Sequence, residues 1–199
     1  MQLLLIRHAQ PALTVVDAGP ADPPLTDVGR AQADRLPDAL TPYRITRMFS
    51  SPQRRALETA RPLATRRDLP VDRLDDLAEY DHGLGHYIPI DQARDLAPAA
   101  FARIRAGHLP DFVDADEFRT RVLGAVDAIV DASGHDETVA VVAHGGVINV
   151  LLQDLLDLDR PLTFPVDYAS VTRILVSRNG ERRVASVNET GHVRDTLRV

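Results

Sequence analysis

The chain has 199 residues, 44% hydrophobic and 26% charged, a balance expected of a soluble unit with a full core. It has no cysteine, which excludes disulfides, thiolate metal sites and a cysteine nucleophile. A net charge of -6 weighs against a nucleic-acid surface, since phosphate backbones select for clustered positive charge. The 23 basic residues are all arginine, so an arginine carries meaning here only through the sequence around it. Arg7 cuts the first apolar run short and no basic region precedes it, so neither a signal peptide nor a membrane span is expected. A cytoplasmic location follows as the expectation.

In chain order, residues 2–6 read as a buried strand, followed by a Pro- and Gly-rich loop over 9–24. A helix is predicted over about 26–40, with Thr26 as its cap and Asp27 in the first turn. A strand near 45–49 runs into Ser50-Ser51-Pro52, where a serine cap and a proline at the first helical position predict a helix through about 65. Arg55 then lies in its first turn.

A short extended piece near 70–73 precedes an irregular segment, 76–90, and such loops are more often functional than decorative. Residues 91–106 have helical spacing. In 115–132, Phe118, Val122, Val126, Ile129 and Val130 recur at three- and four-residue intervals, predicting an amphipathic helix against a sheet. A buried strand, 138–143, and a helix, 146–157, follow. Two last strands, near 170–177 and 182–188, flank Asn179-Gly180, a strong hairpin signal. Strands alternating with helices give a three-layer α/β/α sandwich with a mostly parallel central sheet and an antiparallel edge. One domain is expected over 1–199, with a helical and loop insert at about 76–110.

Two histidines end apolar runs: His8 after Leu3-Leu4-Leu5-Ile6-Arg7, and His144 after Val139-Ala140-Val141-Val142-Ala143. Ligands of such sheets bind beyond the carboxyl ends of the strands. A single strand-end histidine is more often a hydrogen-bonded structural residue, so the surrounding motifs must decide.

Those motifs run in order along the chain: Arg7-His8-Ala9-Gln10; Pro24-Leu25-Thr26-Asp27-Val28-Gly29; Ser50-Ser51-Pro52-Gln53-Arg54-Arg55-Ala56-Leu57-Glu58-Thr59-Ala60; Leu77-Ala78-Glu79 with Gly83; and His144-Gly145-Gly146. Together they resemble the histidine phosphatase superfamily, whose founding relatives are the cofactor-dependent phosphoglycerate mutases. The resemblance implies a phosphoglycerate mutase-like fold and a metal-independent phosphomonoesterase that needs no cofactor. It further implies a phosphohistidine at His8, Arg7, Arg55, His144 and Gly145 around the phosphate, and Glu79 as acid and base.

The residue types suit that chemistry. A neutral imidazole, with an ordinary pKa of ~6.5, is nucleophilic near neutral pH, provided its other nitrogen gives its proton to an acceptor such as a backbone carbonyl. Arginine supplies a planar, permanently charged fork for phosphate oxygens. His144, if protonated, would add a charged donor, and the amides opening the helix after Gly145 could assist. Arg54 competes with Arg55, but one residue along a helix turns a side chain by ~100°. Glu79 needs a raised pKa to hold a proton at neutrality.

Gln10, Tyr80, His82 and His86 are candidates for the substrate pocket, with Tyr87, Ile88, Ile90 and Phe101 as further lining. Pro11 stands where relatives carry Thr or Ser. His82 and His86 have the spacing of a helical metal pair, but Gly83 and Gly85 argue against a helix, so pocket lining is preferred to metal ligation. His108, His135 and His192 read as surface residues. The expected partner is a small or medium organic phosphate, and oligomeric state is open. Two alternatives stand beside the phosphatase. One is a phosphoglycerate mutase, disfavoured by the chain's shortness and by Tyr80-Asp81-His82-Gly83 after the glutamate. The other is a non-catalytic phospho-ligand binder, which would not require His8 or Glu79.

Overall fold

The computed structural model describes residues 1–197. In chain order the elements are β1 (Gln2–Arg7), β2 (Thr14–Val15), α1 (Asp27–Ala39), β3 (Ile45–Ser50), α2 (Arg54–Arg67), β4 (Val71–Arg73) and β5 (His86–Tyr87). They continue with α3 (Ile90–Leu96), α4 (Pro98–Arg105), α5 (Ala115–Asp131), β6 (Thr138–Ala143), α6 (Gly145–Leu156), β7 (Val171–Val176) and β8 (Arg182–Glu189).

Six strands form one sheet in the order β4-β3-β6-β1-β7-β8, and β2 pairs with β5 in a separate two-stranded ribbon. β4, β3, β6 and β1 are parallel, whereas β7 and β8 add an antiparallel edge. Alternation along each strand sends side chains to opposite faces. Leu3 and Leu5 of β1 and Val139 and Val141 of β6 pack with α5 and α6. Leu4, Ile6, Ala140 and Val142 pack with α1 and α2. Every residue of β6 is buried, as a strand covered on both faces requires.

Parallel pairing sets β1, β3 and β6 level at their carboxyl ends: Arg7 stands opposite Ala143, and Ser50 opposite Val142. Ladder bonds continue one residue past the strands, with the His8 amide donating to the Ala143 carbonyl (2.8 Å) and the Ser51 amide to that of Val142 (2.9 Å). Three consecutive motifs thereby emerge side by side at one end of the sheet.

Two predicted helices differ from expectation. α2 begins at Arg54, with Gln53 rather than Ser51 at its cap position. The Ser51 hydroxyl is drawn to His144 (2.7 Å), and the exposed Arg54 amide is satisfied by Asp22 (2.8 Å). The helix over 91–106 is two helices. Ala97, at φ -146°, breaks the run because the residue before a proline avoids the α region, and Pro98 opens the second.

Gly29 explains the first of its motif's constraints. A Cβ there would lie 2.1 Å from the Gln10 carbonyl oxygen, which also receives the Thr26 amide (3.0 Å), so α1 can seat against the loop after His8 only without a side chain. Gly29→Ala is therefore expected to destabilise the protein by about 1–3 kcal/mol. Gly124, exposed in α5 with open space at its Cβ, should instead gain about 0.5–1 kcal/mol on change to alanine. Urea unfolding of the two variants reads both signs.

Candidate active site

At the shared strand ends lies a cavity of about 470 Å³, lined among others by Arg7, His8, Arg55, Glu79, Gly145 and Gly146. His8 is 2% exposed, and its Nδ1 lies 2.8 Å from the Ala9 carbonyl oxygen, the acceptor anticipated in the loop after Arg7. With the proton on Nδ1, the lone pair is left at Nε2. Burial, then the charges of Arg55 and Arg7, hold the ring's pKa well below its ordinary value, so it is neutral.

The carbonyl that fixes His8 is itself fixed. The Ala9 amide donates to the Thr59 hydroxyl (2.9 Å), which in turn donates to the Arg55 carbonyl (2.7 Å). Thr59, one turn beyond Arg55 on α2, so ties the loop holding the imidazole to the helix holding the guanidinium.

Arg55 is 1% exposed. One of its terminal nitrogens, Nη2, bonds both carboxylate oxygens of Asp81 (2.8 and 2.9 Å), and its guanidinium carbon lies 4.5 Å from the centre of the Tyr87 ring. Nε and Nη1 are buried with no protein partner. Arg7 donates through Nη1 to the Val166 carbonyl and stacks 4.1 Å over the Tyr168 ring, and its Nε also lacks a partner. Buried donors without acceptors are costly, and a tetrahedral anion is the ligand that would satisfy several at once. Arg54 turns outward to pair with Glu58 (2.7 Å).

Glu79 is 7% exposed. Its Oε2 accepts from the Gly146 amide (2.8 Å) and its Oε1 from the Tyr80 amide (3.2 Å). Burial, then the charge of Asp81, raises its pKa to about 7, against the lowering pull of those amides and of Arg55. The amide of Gly146, the second residue of α6, is thus taken by a carboxylate rather than left for phosphate. Gly145 lines the cavity, but Gly146 is the residue that must be glycine, since a Cβ there would lie 2.4 Å from Glu79 Oε1.

His144 is fully buried, its ring centre 5.1 Å from that of His8. Burial, then the charge of Arg55, presses its pKa well below the ordinary value. The charged donor considered from the sequence is therefore a neutral one. Its Nε2 lies 2.7 Å from the Ser51 hydroxyl, which already accepts from the Gln53 amide (3.3 Å). That hydroxyl is served best by donating to Nε2, which leaves the proton on Nδ1, an atom with no protein partner.

Of the weaker candidates, Tyr80 and His86 line the cavity, as do Tyr87, Ile88 and Ile90; Gln10, His82 and Phe101 do not. Gln10 is spent on α1, its side-chain oxygen accepting from the Thr26 hydroxyl (3.0 Å) and its backbone N–H donating to the Gln32 side chain (2.9 Å). His82 sits exposed on a turn. No group of three or more His, Asp or Glu side chains that could hold a metal occurs among the described residues. His108 and His135 are exposed, but His192 is half-buried and hydrogen-bonded to the Ala169 carbonyl (3.0 Å).

The sequence reading passed over Gln53 and Asp81. Gln53 is 3% exposed, and its amide accepts from the Glu79 backbone (2.8 Å) and donates to Asp81 (3.0 Å). The fold joins these residues across 26 and 28 positions, which local patterns do not reveal.

A family profile described as "Histidine phosphatase superfamily (branch 1)" matches residues 3–190. The chain belongs to that superfamily. This histidine phosphatase is 29% identical over 203 residues to phosphoserine phosphatase 1 of Hydrogenobacter thermophilus, covering 97% of this chain and 94% of that one. It is 33% identical over 170 residues to the glucosyl-3-phosphoglycerate phosphatase of Mycolicibacterium vanbaalenii, covering 79% and 75%. Among solved structures, Bacillus stearothermophilus YhfR aligns with a TM-score of 0.75 at 28% identity, covering 97% of this chain and 99% of that one. A mycobacterial glucosyl-3-phosphoglycerate phosphatase in complex with inorganic phosphate aligns at 0.76 and 26%, covering 96% and 98%. The fold is phosphoglycerate mutase-like, and the chain is a phosphatase enzyme.

Gly146→Ala should push the Glu79 carboxylate off its amide while leaving the sheet intact. The expected result is a fall in phosphatase kcat of about tenfold or more with little change in melting temperature. Parallel turnover and thermal-melt measurements check this.

Proposed function

We propose that this histidine phosphatase hydrolyses a small or medium organic phosphate monoester through a phosphohistidine at His8. The observation that carries the reading is the pairing of a buried, neutral imidazole, protonated on Nδ1, with unpartnered guanidinium donors lining the same cavity. Cytoplasmic action on small molecules accords with this. No helix among the described residues is long and apolar enough to cross a membrane.

In the first step, His8 Nε2 attacks phosphorus, and the P–N bond forms as the bond to the alcohol oxygen breaks. The Glu79 carboxyl gives its proton to the departing alkoxide. Arg7 and Arg55 hold the equatorial oxygens, where charge is spread in the transition state, and His144 Nδ1–H adds a neutral donor. In the second step, water loses a proton to the Glu79 carboxylate and attacks phosphorus. The P–N bond breaks, phosphate leaves and His8 is neutral again. The products are one alcohol and one hydrogen phosphate.

The names of the relatives favour water as the final acceptor over return of the group to a sugar acid. Phosphoserine, α-ribazole and glucosyl-3-phosphoglycerate phosphatases all appear among them. A binder would have no use for a glutamate poised near neutrality beside the imidazole.

Incubation with labelled ester followed by acid and base treatment should trap an acid-labile, base-stable phosphoenzyme. His8→Ala should lose the label and about 10³-fold or more of turnover, and Arg55→Ala about 10²–10³-fold. A His8→Ala protein that is folded and still turns over removes the proposal.

The first step consumes the carboxyl form of Glu79. kcat/KM should therefore hold below about pH 7 and fall roughly tenfold per unit above it. The groups facing Glu79 are Asp81 on its own loop, Arg55 from α2 and the Gly146 amide from α6. Asp81→Asn removes the charge that lifts the carboxyl, so the falling limb should move to lower pH. A limb that stays in place would assign it to another group.

A further inference from the structure

We infer that the alcohol half of the substrate is apolar, so that this phosphatase is selective for alkyl or aryl phosphates over esters of hydroxyl-rich or zwitterionic alcohols. The inference rests on the hydrolytic reading above and concerns the part of the cavity not used by the phosphate. A cavity of about 470 Å³ has room for much more than a phosphoryl group.

The additional wall comes largely from the α3–α4 insert and the loop after α6. Ile90, Ala93, Ala97, Ala100 and Ile104 recur along the insert at three- and four-residue spacing, presenting small and branched apolar side chains to the cavity. Leu162 and Phe164 from the loop add to it.

Apart from the Tyr80 hydroxyl, the polar lining is committed or exposed, with Tyr87 bonding Tyr168. The Asn149 amide donates to the Gly145 and Phe164 carbonyls (both 3.0 Å), and its oxygen accepts from the Phe164 amide (2.8 Å). Asp81 holds Arg55 and Gln53, while Asp167 is held by the Asn188 side chain (2.9 Å). Arg7, His8, Arg55 and Glu79 serve the reacting group. His86, Arg105 and Thr163 are exposed.

A substrate hydroxyl or ammonium placed against Ile90, Ala93, Ala97, Ala100 and Ile104 would give up water without gaining a partner, at a cost of about ten- to a hundredfold in affinity per group. Each methylene buried there gains about fourfold. Phosphoserine, with an ammonium and a carboxylate beside its ester, and sugar phosphates are mismatched to it. The related phosphatases that carry those substrate names would therefore differ from this chain in selectivity.

The test compares kcat/KM for monoesters of primary alcohols: ethyl, 3-methylbutyl and benzyl phosphate against glycerol 3-phosphate and phosphoserine. The expected order places 3-methylbutyl and benzyl phosphate at least about tenfold above glycerol 3-phosphate and phosphoserine. Ala100→Trp, which fills the wall, should lower the value for benzyl phosphate about tenfold while leaving ethyl phosphate within about twofold, so that ethyl phosphate turnover reports an intact site. Equal or better turnover of phosphoserine or glycerol 3-phosphate overturns the inference and leaves the hydrolytic reading standing. Absence of phosphate release from every ester, with no trapped phosphoenzyme, sinks the hydrolytic reading and this inference with it.

Discussion

Two guanidinium groups kept largely out of water with part of their donor capacity unused set the terms for everything around them. Arg55 is almost wholly enclosed, yet Asp81 engages only one of its three nitrogens, and Arg7 is held at one end by a carbonyl and across its face by Tyr168. Enclosing such charge is tolerable only where each contact is fixed in advance, because a misplaced partner leaves a buried cation uncompensated. The aromatic faces and the single carboxylate hold the two forks at rest without filling them. What remains open is a set of N–H groups with the valence of a tetrahedral anion, and the imidazoles are kept neutral by burial first and by the same charge second.

The carboxylates divide the remaining work by environment. Burial, then the charge of Asp81, raises the Glu79 pKa to about 7, while Asp81 two residues away faces a guanidinium and acts as its anchor. Gln53 spans both, through the backbone of one and the side chain of the other. Three residues from two segments thus tie the Arg55 guanidinium to the Glu79 backbone, the two groups that the proposed mechanism uses on the phosphate and the proton.

Much of this was legible in the chain. The apolar runs that became β1, β3 and β6 carry their own stop signals, and parallel strands of equal length necessarily bring His8, Ser51 and His144 to one end. Hidden were interactions between segments far apart in sequence. Ser51 reads as a helix cap because a serine before a proline usually is one, but the imidazole 93 residues away competes for its hydroxyl and wins. Gln10 reads as pocket lining from its neighbours in the motif, yet its side chain is consumed by Thr26. His86 reaches the cavity and His82 does not, with Gly83 at φ 101° turning the backbone between them, and local spacing cannot resolve that turn.

The insert contributes little to the interior: α4 buries none of its residues and α3 only Ala93, and the two helices pack chiefly against each other. His8 and His144, in contrast, directly follow the deeply covered strands β1 and β6. A wall so loosely fastened to a rigid floor can be recut by mutation without disturbing the bond-breaking apparatus beneath it, and it belongs to the parts of a protein that open locally while the rest stays shut. Evolution of a new preference and escape of a spent alcohol would then draw on the same weak fastening.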